Sequence, residues 1–299
     1  MSHVNSPALV ETNWLEEHLN DTDLCLLDCR VNLIPEDSGG FRLESGRPSW
    51  ETGHIPGSGF VDFITDLSDQ HNDLPLMMPP PDQFADTMTR AGVSAHTRVI
   101  LYDDFYNIWA ARVWWMLRAS GFDNAAVLNG GWHKWTQEGR PVSNRPATPV
   151  RGQFVSTPRP AVMAGKQEVL EAIQTPSSCL LNALTAEDHA GTGGLIQYPR
   201  PGRIASSVNV SFYDLVDLET HAYLPAEQLR EKFEAVGATG AKRVITYCGA
   251  GIAASSDAFA LTLLGLEDVA VYDGSLMEWA ADASLPMETD TSPAGQSSS

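Results

Sequence analysis

At 299 residues the chain is long enough for two domains of ordinary size, each burying its own core. A hydrophobic share of 43% with 19% charged residues describes a soluble globular protein, and a formal net charge of −19 argues against nucleic acid or an anionic membrane surface as partner. Four cysteines (Cys25, Cys29, Cys179, Cys248), no C-x-x-C pair and no zinc-spaced Cys/His cluster leave a disulfide scaffold or structural metal without support. The opening Met1-Ser2-His3-Val4-Asn5 lacks a signal-peptide pattern and no apolar run reaches membrane-spanning length, so a reduced, cytoplasmic setting is expected, with no metal and no cofactor.

In chain order, Glu11 to Leu19 reads as a helix capped by Thr12 or Asn13, and Leu24 to Asp28 as a strand. Asn32 to Glu51 is polar, glycine-bearing and without period, which predicts a loop. The turn Gly53-His54-Ile55-Pro56-Gly57-Ser58 leads into Phe60-Val61. Helices are predicted at 82–91, 110–119 and 131–138, and strands at 99–102 and 125–128. Prolines 141, 146, 149, 158 and 160 mark a linker at 144–160, between an N-terminal unit (1–143) and a C-terminal unit (161–288). The order then begins again, with helices at 166–173, 226–235, 252–264 and 275–281. Strands are expected at 179–182, within 204–210, at 244–247 and at 269–272, and the tail from 289 to 299 is predicted disordered.

The repetition is visible in residues. Leu27-Asp28-Cys29-Arg30 matches Leu181-Asn182-Ala183-Leu184, and Gly53-His54-Ile55 matches Gly202-Arg203-Ile204. Val99 to Asp103 matches Val244 to Cys248, and Asn129-Gly130-Gly131 matches Asp273-Gly274-Ser275. A repeat of this length is a domain duplication, and alternating strands and helices imply in each copy a parallel α/β sheet with helices on both faces.

A ligand site is expected beyond the carboxyl ends of the strands, where Cys248 falls. It follows a buried strand and precedes Gly249-Ala250-Gly251-Ile252-Ala253-Ala254, a glycine turn opening a helix. Loop N–H groups and the helix dipole are expected to lower the thiol pKa and to cradle an anion. The first copy carries Asp103 at the same place, so the second half is the active one. Asp28 and Arg30 are expected to tie down the first half's loops as an ion pair, and Arg112, Trp114 and Trp115 to pack in the core or between domains.

Gly53 to Ser58, Leu74-Pro75 with Met78-Pro79, Tyr102-Asp103, Ala111 to Arg118 and Leu128 to Gly131 together resemble the tandem-domain rhodanese, or sulfurtransferase, family over nearly the whole length. The resemblance implies an inactive first domain and a catalytic second one. Cys248 would take sulfur from a small anionic donor, thiosulfate or 3-mercaptopyruvate, as a persulfide. Cyanide or a thiol, a thioredoxin-like protein among them, would then remove it.

Two departures stand out. The loop lacks both the cations of thiosulfate-type members and the hydroxyl of mercaptopyruvate-type members, since position 250 is Ala. The Asp-x-Arg expected at the second domain's strand end is Asn182-Ala183-Leu184. Arg200 and Arg203 are the nearest substitutes for the missing cation, and His54 is a candidate base at the domain interface. Two competing readings are a phosphatase, which Ala254 disfavours where a loop-closing Arg is required, and a non-catalytic sulfur carrier or docking module.

Overall fold

The computed structural model describes residues 7–36, 40–147, 150–193 and 198–290. The first half comprises β1 (Leu9–Val10), α1 (Thr12–His18), β2 (Leu24–Asp28), β3 (Val31–Pro35), β4 (Phe41–Ser45) and α2 (Arg47–Thr52). It continues with β5 (Gly59–Phe60), α3 (Pro81–Arg90), β6 (Arg98–Tyr102), α4 (Ile108–Ala119), β7 (Ala125–Leu128) and α5 (Gly131–Gln137). The second half comprises β8 (Met163–Ala164), α6 (Lys166–Ala172), β9 (Ser178–Asn182), α7 (Ala186–Ala190), β10 (Arg203–Ile204) and β11 (Val208–Asn209). It closes with α8 (Ala226–Ala235), β12 (Arg243–Tyr247), α9 (Ile252–Leu263), β13 (Val269–Tyr272), α10 (Ser275–Trp279) and β14 (Met287–Glu288).

Each half is one parallel five-stranded sheet, in the orders β1-β7-β6-β2-β5 and β8-β13-β12-β9-β11. The two orders are the same, so the repeat seen in residues is a repeat of topology. Alternate residues of the first sheet enter two separate cores. Leu26, Ile100, Tyr102 and Leu128 pack with Leu15 and Trp135 on one face, and Leu27, Val99, Leu101 and Val127 pack with α3 and α4 on the other. Burial on both faces is why these strands read as apolar runs rather than as alternation.

In each half the last strand residue before the loop is a buried tyrosine holding the preceding turn. Tyr102 Oη shares a hydrogen bond with Ser58 Oγ (2.8 Å) and accepts the Ile55 N–H; Tyr247 Oη does the same with Ser207 Oγ (2.6 Å) and the Ile204 N–H.

The stretch expected to be loop at 32–51 instead holds the antiparallel pair β3–β4 and helix α2. Its side chains are mostly half-exposed, so neither burial nor periodicity marked it. Helix α7 was likewise unmarked; its signal was Thr185, whose Oγ1 accepts the Asp188 N–H at its start. The proline-marked segment runs along the first domain, with Phe154 in its core and Thr157 and Arg159 bonded to α4's end. Of the predicted tail, the Asp290 N–H donates to Ala190 O, while 291–299 lie outside the described residues.

The halves meet through α4 and α9, both buried nearly all round; Trp114 and Phe259 pack edge to face, 4.9 Å between ring centroids. That accounts for the aromatic and alanine-rich sequences of the two helices, which show no polar face. The contact is pseudo-symmetric. Asn129 Oδ1 accepts the Tyr223 N–H of the second half, and its repeat partner Asp273 accepts the Met78 N–H of the first through Oδ2, both at 2.8 Å.

Candidate active site

Strand β12 delivers Cys248 to the carboxyl edge of the second sheet, and Gly251 opens α9 at φ +75°, a left-handed conformation suited to glycine. The loop is held with its carbonyls outward. Leu276 N–H donates to Cys248 O and Met277 N–H to Gly249 O, while Ser275 Oγ accepts the N–H groups of Cys248 and Gly251, each at 3.1 Å. Ser275 in turn donates to Tyr272 O (2.7 Å). The N–H groups of Ala254, Ala250 and Ala253 are left facing the Cys248 sulfur. Sequence reasoning missed Ser275, although its pairing with Gly131 was a signal: both residues sit at positive φ, +47° and +52°.

The first half shows what such a cradle holds. Asp103 fills it with its own carboxylate, Oδ1 accepting from Phe105 N–H (2.7 Å) and Asn107 N–H (3.1 Å), Oδ2 from Ala110 N–H (2.8 Å). Asn107 caps α4 in the left-handed conformation, as Gly251 caps α9, and Ala110 stands three residues beyond its cap just as Ala254 does. In one copy of the loop these N–H groups are therefore permanently occupied by a carboxyl group of the chain itself.

Electrostatics correct one expectation. Cys248 is only 2% exposed, and this burial pushes its thiol above the ordinary value, outweighing the three N–H groups and Arg112, which pull it down. The lowered pKa expected from sequence neglected the burial of the strand end, which opposes the N–H groups. Cys25 and Cys179 are raised by burial to about 12 and about 11, and Cys29 is raised as well, as suits inert thiols.

The three other residues singled out from sequence are engaged elsewhere. Arg200 donates to four backbone carbonyls, those of Trp279, Ala280, Asp282 and Leu285, clamping its loop to the end of α10. Arg203 pairs with Glu288 (3.5 Å) and Asp290 (2.8 Å) and donates to His189 O. His54, its repeat partner, is fully buried and stacked on Trp50, with Nδ1 against Trp50 O (2.7 Å) and Nε2 against Arg145 O (3.1 Å). Both turn residues secure the segment leaving their domain, His54 beside Ser143 and Arg203 beside Glu288. Neither arginine presents a free guanidinium, so the missing strand-end cation is not replaced from there. Asp28 and Arg30 form the expected buried pair (2.7 Å); in the second half Asn182 Oδ1 accepts the Leu184 N–H, keeping the turn without the charge.

The cation near the sulfur comes from the first half. Arg112 on α4 is fully buried; its Nη2 pairs with Asp273 and approaches Leu76 O, and its Nη1 lies 3.2 Å from where a Cβ on Gly251 would stand. Its Nε and Nη1 make no hydrogen bond among the described residues. Packing between domains, as expected, is thus joined to an electrostatic action on Cys248.

A rhodanese-like domain model matches the chain twice, over residues 11–138 and 167–282. The chain belongs to the rhodanese family. It is 33% identical to the thiosulfate sulfurtransferase of Mus musculus, covering 95% of each chain, and 31% identical to the 3-mercaptopyruvate sulfurtransferase of Escherichia coli K12, covering 93% of this chain and 97% of that one. The solved 3-mercaptopyruvate sulfotransferase SseA of Escherichia coli, described as a rhodanese fold, superposes with a TM-score of 0.79 at 28% identity, over 89% of this chain and 98% of that one. Among the described residues no helix is long and apolar enough to cross a membrane. As a tandem rhodanese the chain carries one loop closed by its own Asp103 and one whose occupant is the sulfur of Cys248.

Proposed function

We propose that the protein is a sulfurtransferase working through a persulfide on Cys248, with thiosulfate or 3-mercaptopyruvate as donor and cyanide or a thiol as acceptor. The observation that carries this is the Cys248 sulfur facing the N–H groups of Ala254, Ala250 and Ala253, in a cradle whose counterpart holds a carboxylate. Deprotonated Cys248 attacks the donor's outer sulfur, and an Sγ–S bond forms as the S–S bond of thiosulfate or the C–S bond of 3-mercaptopyruvate breaks. Sulfite leaves with the bonding pair in the first case; in the second the pyruvate enolate leaves and takes up the proton that the thiol gave. The acceptor then attacks the outer sulfur of Cys248–S–S⁻ and regenerates the thiolate. The N–H groups hold the persulfide anion, and the Arg112 guanidinium behind Gly251 adds positive potential in a strongly acidic protein. Four free cysteines and this thiol chemistry fit a reducing, cytoplasmic setting, where a thioredoxin-like protein thiol is a suitable acceptor.

The test is sulfur transfer to cyanide with each donor, alongside intact-mass detection of one added sulfur. Wild type is expected to gain that mass on Cys248 and to turn over, and Cys248→Ser to do neither while keeping its fold. If wild-type Cys248 takes sulfur from neither donor, the carrier or docking reading replaces this one.

A further inference from the structure

Resting on the sulfurtransferase reading, the geometry points to a catalytic residue that neither the loop motif nor the comparisons assign: the phenol of Tyr198, donating a hydrogen bond to the sulfur at Cys248. Three observations converge. The Tyr198 hydroxyl overhangs the residue next to the nucleophile, since a Cβ built on Gly249 would stand 2.4 Å from Tyr198 Oη. Its hydroxyl is buried and makes no hydrogen bond among the described residues. Its position is imposed from outside, because Arg200, two residues on, is clamped by four carbonyls at the end of α10.

An idle buried phenol is out of character for this protein. Tyr102, Tyr247 and Tyr223 share hydrogen bonds with Ser58, Ser207 and Ser256, and Tyr272 donates to Glu278. Buried tyrosine hydroxyls ordinarily find a partner, so one left over beside the nucleophile reads as reserved for what that nucleophile carries. The phenol would also supply the hydroxyl that Ala250 lacks. Burial first, and negative charge on Cys248 second, push its ionisation well above the ordinary phenol value, so it remains a donor at any working pH.

The chemical consequence is specific. A hydrogen bond to the transferring sulfur withdraws electron density from it, making it a better electrophile both when Cys248 attacks the donor and when the acceptor attacks the persulfide. No proton or electron is consumed; the hydroxyl, without a partner among the described residues, takes up the bond as the sulfur at Cys248 becomes an anion or carries its second sulfur.

Tyr198→Phe removes the donor and keeps the ring. It is expected to slow both half-reactions roughly ten- to hundredfold, and to move the pH profile of Cys248 alkylation by iodoacetamide, followed by mass on the Cys248 peptide, upward by about one unit. Gly249→Ala supplies the cross-check. Its methyl meets Oη at 2.4 Å but the ring carbon beneath at 3.5 Å, an ordinary contact. Gly249→Ala alone should therefore displace the tyrosine and lose activity, and adding it to Tyr198→Phe should cost little more. Unchanged half-reaction rates with a superimposable alkylation profile in Tyr198→Phe would overturn the proposal and leave Tyr198 as packing. Should wild type transfer no sulfur, the function reading fails separately, and the alkylation profile alone still decides for or against the bond from Tyr198 to sulfur.

Discussion

Arg112→Met removes the guanidinium from a pair in which its side chain is fully buried and that of Asp273 is 10% exposed. Among the described residues, Asp273 would keep only the Met78 N–H at 2.8 Å. Breaking such a pair from one side leaves an uncompensated buried carboxylate and costs about 3–5 kcal/mol, with little relief from solvent. Two effects are superposed: loss of stability at the domain interface, and loss of the cation that lowers the Cys248 pKa. Adding Asp273→Asn separates them. It removes the stranded charge and should restore at least half of the lost stability, whereas the cation stays absent and the Cys248 alkylation profile stays shifted to higher pH. The measurements are urea unfolding followed by two probes, because a two-domain chain need not unfold in one step, and alkylation rate against pH. A double variant no more stable than Arg112→Met, or an alkylation profile indifferent to Arg112, would refute the reasoning.

Ser275→Ala strands the N–H groups of Cys248 and Gly251 and keeps a Cβ at φ +47°, whereas Ser275→Gly strands them without that strain. Both should lower turnover, and thermal denaturation should rank alanine below glycine by about 1 kcal/mol. Arg200→Ala should destabilise the second domain by about 3 kcal/mol through its lost carbonyl bonds while leaving donor KM within a few-fold at low temperature, which steady-state kinetics checks. Burial raises the Asp103 carboxyl from 3.8 to about 7, so the folded state holds that proton more tightly. Its stabilising contribution is complete below about pH 4 and is lost as the pH rises through about 7. Asp103→Asn should therefore compare more favourably with wild type at pH 8 than at pH 5 in unfolding titrations.

Much of the architecture was legible because it rests on local signals. Doubly buried strands such as Val99–Tyr102 and Val244–Tyr247 are β-branched, aliphatic and aromatic throughout, with Thr246 the single polar residue, and Gly265 at φ +88° ends α9 as its sequence position suggests. Cys248 was legible for a similar reason, since a thiol between a strand end and a left-handed glycine cap is a local arrangement. The hairpin β3–β4 was not, because its half-exposed residues have no strong period, and α7 was too short to show one.

What the sequence by itself determined is the duplication, the parallel α/β class, and the strand–Cys248–glycine-turn arrangement on which the proposed nucleophile rests, all encoded within stretches of about ten residues. Only the tertiary structure decided the environment of the sulfur. Arg112 lies 136 positions before Cys248 and in the other domain, Ser275 is 27 positions after it, and Tyr198 is 50 before it, yet all three bear on one loop. The same holds for the thiol pKa, where motif-level N–H groups lower the value but burial at the domain interface raises it further. Desolvation and charge act through space, and no spacing along the chain reports which groups the packing of α4 against α9 will bring within their reach.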